Sequence, residues 1–201
     1  LIPECSLQPL HEHNWIIKEE TSSHDYILSI NALSALGVEN GKLSKAIKKF
    51  QAHYPSYEFF EKPATSDLFE SMIKLFEVWI ADKPLTSVNL KELAAFKRML
   101  NLSLENCSVY MIALKDELIA FDICELVSNN YAISHFCKSL NHHVGINETL
   151  QWHEAVSLAQ KGISFLNIEQ DLGLSGLRFA KTKFNPCHYL RKYSITKPDY
   201  L

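Results

Sequence analysis

The chain has 201 residues, of which 47% are hydrophobic and 21% charged, and its formal net charge is −3. This length suits one large or two small domains with a real core. The charge excludes a global basic field that would draw the protein to nucleic acid or to an anionic membrane, so any polyanion must bind a local patch. Five cysteines without CxxC spacing favour reduced thiols over a disulfide framework: Cys5, Cys107, Cys124, Cys137 and Cys187.

No apolar run reaches the roughly 18 residues that a bilayer span requires. The chain begins at Leu1 rather than at a methionine, and we interpret it as the C-terminal part of a longer protein. Reduced thiols indicate a cytoplasmic domain. An upstream segment would leave room for peripheral association with the inner face of the membrane.

Residues 1–105 are predicted to form a mainly helical lobe. After a short strand over 14–19, Ser23 is a plausible N-cap for a helix over 23–36, which Gly37 would end. A basic helix over 42–50 follows. Its lysines either form a solvated face or meet the phosphates of tRNA or lipid.

Two further helices complete this lobe. Asp67 and Glu70 have the spacing of a capping box and would open an amphipathic helix through Ile80. Another helix is predicted over 89–101, where apolar side chains recur at helical spacing.

Near residue 107 the spacing of the apolar residues changes from helical to strand-like. Three apolar, β-rich runs over 108–114, 118–127 and 131–138 are separated by tight polar turns, which predicts an antiparallel meander. The elements that follow are a helix over 146–161, a strand over 163–168, a helix over 175–184 and a strand over 187–193.

The passage from strand 131–138 through a helix to strand 163–168 requires a crossover, which is typical of a parallel pair. A meander, one parallel crossover and a trailing helix and strand are the layout of the GNAT acyltransferase fold. The sequence therefore predicts one α+β, GNAT-like domain over 1–201. Its core, at 106–195, would be a β-β-β-α-β-α-β unit with a mixed central sheet, one parallel pair and flanking helices.

Polar side chains cluster where strand 163–168 ends. In an extended chain Asn167, Glu169 and Asp171 would project to one side, at the edge where open α/β sheets place ligands. Arg178 and Lys181 lie three apart on the next helix. We expect Glu169 to accept a proton from an attacking amine or hydroxyl, while the two cations hold phosphate.

A structural reading of the same residues stays open. Asp171 or Ser175 would then cap the helix, and Glu169 would pair with Arg178 to hold the turn together.

Residues 167–193 resemble the closing motif of the phosphatidylglycerol lysyltransferase C-terminal family. Ten positions agree in order and spacing: Asn167, Glu169, Asp171, Leu172, Gly173, Gly176, Leu177, Arg178, Lys181 and Pro186. The upstream segments that resemble the family are Asp25-Tyr26 with LSALG at 33–37, 45–54 as part of a helical segment, and 133–138 as a strand. The resemblance covers about residues 24–193.

The resemblance implies an aminoacyl-tRNA-dependent acyltransferase that moves an aminoacyl group to a lipid headgroup or to another amine or hydroxyl acceptor. Two positions depart from the pattern. Cys137 stands where the family has an acidic residue before Lys138, and Lys45 stands where an arginine is commoner.

Lys138 is a third catalytic candidate, beside Glu169 and Asp171, with Asn167, Arg178 and Lys181 as substrate-binding residues. It would orient a carbonyl or a phosphate, or else be a solvated strand end. The turn over 139–147 has Gly145 as its only glycine, which makes it a poor cradle for a CoA pyrophosphate.

This turn makes acyl-CoA the less favoured donor, and the resemblance implies aminoacyl-tRNA instead. No other cofactor is predicted. No metal site is predicted either, because neither His11-x-His13 nor His142-His143 has a third ligand at zinc spacing. Two alternatives stay open: an acyl-CoA N-acetyltransferase of the GNAT superfamily, and a non-catalytic GNAT-like binding domain.

Overall fold

The computed structural model describes residues 1–8, 15–38, 41–83 and 87–197. They fall into two compact units. The first unit consists of Leu1–Ser29 and Phe165–Leu201, and the second is the continuous stretch Ile30–Ser164. The first unit therefore combines the two ends of the chain.

The strands and α-helices follow one another in a mixed order. They are β1 (Ile2–Pro3), β2 (Ile16–Glu19), β3 (Asp25–Ser29), α1 (Ile30–Ser34), α2 (Lys42–His53), β4 (Glu58–Pro63), α3 (Phe69–Ala81), α4 (Ser87–Met99), β5 (Cys107–Leu114), β6 (Glu117–Ser128), β7 (Tyr131–Ser139), α5 (Ile146–Gln160), β8 (Phe165–Asn167), α6 (Ser175–Thr182), β9 (His188–Leu190) and β10 (Lys192–Thr196).

The first unit contains two antiparallel arrangements of strands. β10 pairs with β1 and with β2, and β3 pairs with β8 and with β9. Ile27 of β3 lies opposite Asn167 on one side and His188 on the other. This register brings the end of β8 beside β3, where the polar motif begins.

The helix predicted over 23–36 is wrong. Residues 25–29 form β3, and only Ile30–Ser34 is an α-helix, while Ser23 ends a short 3-10 turn. The side chains from Asp25 to Leu28 are all buried, so both faces of β3 are covered, and its two edges pair with β8 and β9. A strand buried on both faces has no alternation, so its apolar run is easily mistaken for part of a helix.

The second unit contains the antiparallel order β4-β5-β6-β7. The predicted meander is confirmed. β4 was missed because it is a largely exposed edge strand that ends at Pro63, and such strands have a weak hydrophobic signal.

The two faces of this sheet carry different helices. Phe121 of β6 packs on Phe96 of α4, with ring centroids 5.5 Å apart, whereas its neighbour Asp122 accepts a hydrogen bond from Gln151 of α5. Successive side chains of a strand point to opposite faces. The sheet therefore has α4 on one face and α5 on the other, in agreement with the predicted flanking helices.

Most of the other predicted elements are confirmed, with shifted ends. The capping box is wrong: Leu68 is the N-cap of α3 and makes no side-chain capping bond, because a 3-10 turn at Ser66–Leu68 precedes the helix. The predicted strand over 187–193 is divided into β9 and β10. Asn14, at the start of the first predicted strand, lies outside the described residues.

The chain returns beside the start of β7 after α5. The backbone N–H of Ser164 donates to the carbonyl of Asn130 at 2.9 Å, so the residue before β8 lies next to the residue before β7. The predicted fold class is confirmed: the protein is α+β, with a mixed sheet that includes a parallel pair. The division into a lobe at 1–105 and a core at 106–195 stays a prediction.

Candidate functional site

Asp171 is the centre of a polar cluster in the first unit. Its carboxylate accepts hydrogen bonds from the hydroxyl of Tyr26 at 2.6 Å, from Nε of Arg178 at 2.6 Å and from the backbone N–H of Gly173 at 2.7 Å. Nη2 of Arg178 lies 3.4 Å from the other carboxylate oxygen. The Arg178 side chain is still 54% exposed. One side of the guanidinium is thus fixed, and the rest faces solvent.

These contacts move the pKa values of all three groups. The hydrogen bond from Arg178 is the main cause that lowers the pKa of Asp171 to about 2. Desolvation, followed by the bond to Asp171, raises the pKa of Tyr26 to about 12. The Asp171 carboxylate also raises the pKa of the Arg178 guanidinium. At neutral pH the cluster is a fixed ion pair with a neutral phenol.

Asn167 supports the turn that follows β8. Its Oδ1 accepts the backbone N–H of Glu169 at 2.7 Å, and its Nδ2 donates to Asp25 at 2.9 Å. Lys192 donates to the other oxygen of Asp25 at 2.6 Å and to Gln170 at 3.2 Å. Asn167 is therefore buried with both ends of its amide engaged, which suits a residue that positions the turn.

The expected alternation of Asn167, Glu169 and Asp171 is wrong. β8 ends at Asn167, and Glu169 has a φ of +59°, so the chain leaves the extended conformation before Asp171. The backbone of Glu169 is nevertheless held on both sides, because its carbonyl accepts the N–H of Tyr26 at 3.2 Å. Its side chain is half-buried.

The cations of α6 have separate environments. Arg178 pairs with Asp171, whereas the Lys181 ammonium donates to the carbonyl of Ile168. The N-cap of α6 is Leu174, without a side-chain capping bond, so neither Asp171 nor Ser175 caps the helix. Five of the six predicted site residues thus lie in the first unit, on the turn after β8 and on α6.

Lys138 belongs to the second unit and is not a solvated strand end. Its side chain is only 7% exposed, and its ammonium donates to Glu92 at 2.8 Å. The nitrogen also lies 4.8 Å from the ring centroid of Phe76 and 4.7 Å from that of Trp79. A buried, paired ammonium between aromatic rings stabilises the packing of α3 and α4 on the sheet.

A buried acid pair in the second unit was missed in the sequence. Asp122 and Glu154 are both fully buried. Asp122 accepts the hydroxyl of Ser134 at 2.8 Å, and Nε2 of Gln151 donates to Asp122 at 3.0 Å and to Glu154 at 3.1 Å. Two carboxyl groups buried in one cluster favour a shared proton.

Burial is the main cause that raises the pKa of both carboxyl groups, and the Asp122 charge raises the pKa of Glu154 further. The available signal was an aspartate inside the apolar run LIAFDIC, because an acid in a central strand is hard to bury without partners. Cys137 borders this pair: it lies opposite Asp122 in the ladder, and Nε2 of Gln151 is 3.8 Å from its sulfur.

The turn before α5 packs closely against α2. Gly145 has a φ of +91°, and a Cβ added to it would lie 2.3 Å from the carbonyl oxygen of Ala46 in α2. The only glycine of this turn therefore permits the close approach of two helices. That the turn does not hold a CoA pyrophosphate stays a prediction.

Within the described ranges, no group of three or more His, Cys, Asp or Glu residues is placed to hold a metal ion. His11 and His13 lie outside those ranges. The same part of the chain contains no helix with the length and hydrophobicity that crossing a bilayer demands.

The sheet, the crossover helix and the turn after β8 have the layout of a GNAT-like fold. A tandem GNAT protein from the clavulanic acid biosynthesis pathway shares this fold, with a TM-score of 0.52 and 9% identity over 97% of this chain and 60% of that chain.

The chain belongs to the family of phosphatidylglycerol lysyltransferase C-terminal domains, whose model matches residues 2–196. L-PGS from Bacillus licheniformis superposes with a TM-score of 0.69 and 12% identity, covering 100% of this chain and 67% of that chain. A conserved protein of unknown function from Bacteroides thetaiotaomicron superposes at 0.78 with 23% identity, over 95% and 65%. The chain thus spans about two thirds of the length of these two structures. No curated protein matches it in sequence.

Proposed function

We propose that this domain transfers an aminoacyl group from aminoacyl-tRNA to a lipid headgroup or to another amine or hydroxyl acceptor. The proposal is supported mainly by the environment of Arg178. Its guanidinium is fixed on the buried Asp171 carboxylate, yet more than half of the side chain is exposed. Such an oriented cation is a receptor for an anionic group.

Arg178 would hold a phosphate of the acceptor or of the donor. Two of its nitrogens already contact Asp171, so the remaining N–H donors are directed without a further loss of side-chain freedom. Asp171 and Tyr26 act as positioning residues in this scheme. A carboxylate with a pKa of about 2 and several hydrogen bonds is a weak proton acceptor, so Asp171 is not the base.

Glu169 would be the base. Its backbone N–H and carbonyl are hydrogen-bonded to Asn167 and Tyr26, which fixes the position from which the half-buried side chain extends. In the transfer, the acceptor nitrogen or oxygen attacks the carbonyl carbon of the aminoacyl ester and gives its proton to Glu169. The ester C–O bond then breaks, and the proton passes to the leaving 3′ or 2′ oxygen of the tRNA.

The tRNA would meet the exposed lysines of α2 in the second unit. Four lysine side chains are exposed there, while Ile47 and Phe50 of the same helix are buried: Lys42, Lys45, Lys48 and Lys49. Phosphate contacts of this kind are sequence-independent and weaken as salt rises. A lipid acceptor would place the reaction at the inner face of the membrane.

The test is a transfer assay with radiolabelled lysyl-tRNA and vesicles that contain phosphatidylglycerol, scored as labelled lipid. Glu169→Gln keeps the size of the side chain and removes the base, so turnover should fall by about 100-fold or more. Glu58→Gln, at an exposed position of β4, is the matched control and should leave turnover unchanged. Arg178→Gln should mainly raise a KM, that for the lipid if Arg178 holds the acceptor phosphate and that for the tRNA if it holds a donor phosphate.

Parallel reactions with acetyl-CoA and an amine acceptor separate the two donors. Acetyl transfer without lysyl transfer would replace the proposal with an N-acetyltransferase. Full turnover of Glu169→Gln would show that Glu169 is not the base. A lower melting temperature in the same variant would then show that its carboxylate has a structural role.

A further inference from the structure

Strand β4 lies at the edge of the sheet in the second unit. It pairs with β5 on one side, and among the described strands none pairs with its other side. An edge strand presents backbone N–H and carbonyl groups that can add a strand from another molecule. The positions of these groups and of the side chains beside them decide which strand is complementary.

The hydrogen bonds to β5 show which backbone groups of β4 face outward. The backbone N–H of Ala64, just after β4, donates to the carbonyl of Cys107 in β5 at 3.0 Å and continues the register of the two strands. Along an antiparallel strand, successive residues direct their backbone groups to alternate edges. Every second residue back from Ala64 therefore faces β5, and the backbone groups of Phe59 and Glu61 face away from the sheet.

The side chains of β4 divide between its two faces. Glu61 forms an ion pair with Lys161 of α5, and Phe59 stacks on the ring of His153 in the same helix, with centroids 4.5 Å apart. These two side chains are thus engaged within the chain. The opposite face carries two exposed charges around one half-buried ring: Glu58, Phe60 and Lys62.

A second copy of β4 is complementary to this edge in an antiparallel register centred on Phe60. Phe59 then exchanges both backbone hydrogen bonds with Glu61 of the copy, and the reverse, so the outward donors are used. By two-fold symmetry, Glu58 lies opposite Lys62 of the copy at both ends. Opposite side chains approach most closely at such non-hydrogen-bonded positions. Charges on an edge strand normally oppose pairing, but here each meets the opposite charge.

The neighbouring registers lack this complementarity. A pair centred on Phe59 would place Glu58 opposite Phe60. A pair centred on Glu61 would place Glu58 opposite Ala64. Both lose the two charge pairs, so the pattern of charge along β4 favours one register.

We propose that two copies of this chain associate edge to edge through β4, in the register centred on Phe60. Pro63 ends the pairing, because it has no N–H group to offer. A strand edge is a small contact, so the dimer belongs to the weak class that forms at high concentration. The pairing uses no part of the Asp171 cluster and requires neither a donor nor an acceptor, so it goes beyond the proposed function.

The first experiment is sedimentation equilibrium of the chain from about 10 μM to about 1 mM, a range suited to weak association. The average mass of the wild type should rise towards that of two chains. Glu58→Lys should raise the dissociation constant by about tenfold or more, because it places like charges opposite each other at both symmetric positions. The double variant Glu58→Lys/Lys62→Glu exchanges the two charges and should return the constant to the wild-type value.

Glu105→Lys is the matched control, since Glu105 is exposed outside β4 and the variant changes the net charge by the same amount as Glu58→Lys. It should associate as the wild type does. All variants should melt at the wild-type temperature. If Glu58→Lys does not fold, Lys62→Glu creates the same repulsion and should raise the constant equally.

Hydrogen exchange of single amides tests the register. The N–H groups of Phe59 and Glu61 should exchange rapidly in dilute chain and become protected as its concentration rises. Those of Phe60 and Lys62 face β5 and should be protected at every concentration. In Glu58→Lys the concentration-dependent protection should disappear.

A wild type that is still monomeric at about 1 mM would overturn the proposal. So would a Glu58→Lys variant that associates as strongly as the wild type, or a dimer in which Phe59 and Glu61 still exchange rapidly. The outcome is separable from that of the transfer assay. A chain that dimerises but transfers nothing would refute the proposed function alone, and a monomer that transfers lysine would refute the dimer alone.

Discussion

Asp171 in the first unit and Asp122 in the second are both almost fully buried, yet their pKa values move in opposite directions. Asp171 faces a guanidinium, a phenol and a backbone N–H. Asp122 faces another carboxyl group, an amide and a hydroxyl. Burial alone therefore does not decide the charge of an acid, because the neighbouring groups decide which protonation state is cheaper to bury.

The two clusters give opposite dependences of stability on pH. Asp171 has a lowered folded pKa, so its contribution is present above about pH 4 and is lost as the pH falls towards about 2. The acid pair has raised folded pKa values. Its contribution is present below about pH 4 and is lost as the pH rises, because the unfolded chain releases the proton that the pair retains.

The largest effect is expected for Glu154→Gln, which keeps the size of the side chain and removes the second ionisable group. The wild type should lose about 3 kcal/mol of unfolding free energy between about pH 5.5 and pH 7.5, at one proton per molecule, and the variant should lose less, because only Asp122 still titrates. Urea unfolding at both pH values measures this. Glu70→Gln, exposed on α3, is the control and should follow the wild type. If Glu154→Gln loses as much unfolding free energy as the wild type between the two pH values, the shared proton is refuted.

Gln151→Leu is expected to have the next largest effect. It removes the amide that donates to both acids and leaves them buried without this donor, which should cost about 2 kcal/mol of unfolding free energy. Gln160→Leu, at the exposed end of the same helix, should change it by less than about 0.5 kcal/mol. A similar change in both variants would mean that the hydrogen bonds of Gln151 contribute little.

Asp171→Asn is expected to have the smallest effect, a loss of about 1.5 kcal/mol at neutral pH, because Arg178 can turn to water when its partner is neutral. The variant should also lose less stability than the wild type when the pH falls from about 4 to about 2. Thermal melting over this range measures both effects. If the variant loses as much stability as the wild type over this pH range, another carboxylate is responsible for the loss.

The sequence predicted the elements that carry a strong local signal. The meander over β5, β6 and β7 was confirmed because tight polar turns separate its apolar runs. Helices α2, α3 and α5 were predicted because their apolar side chains recur at helical spacing. β3 was missed because it is buried on both faces, and β4 was missed because it is an exposed edge.

The site was predicted in the same uneven way. The motif from Asn167 to Lys181 identified the family and the residues of the polar turn, since their order and spacing are properties of the chain. Their roles were not readable: the left-handed φ of Glu169 broke the alternation, and it was Asp171 that paired with Arg178.

The sequence by itself thus determined the family, the fold class and the short list of polar residues after β8, because these depend on local patterns. Only the tertiary structure decided which residues became partners. Asp171 is joined to Tyr26 across 145 positions of the chain, and Asp122 is joined to Gln151 across 29. The charge of a buried acid depends on neighbours that folding brings from distant positions, and no local pattern records them.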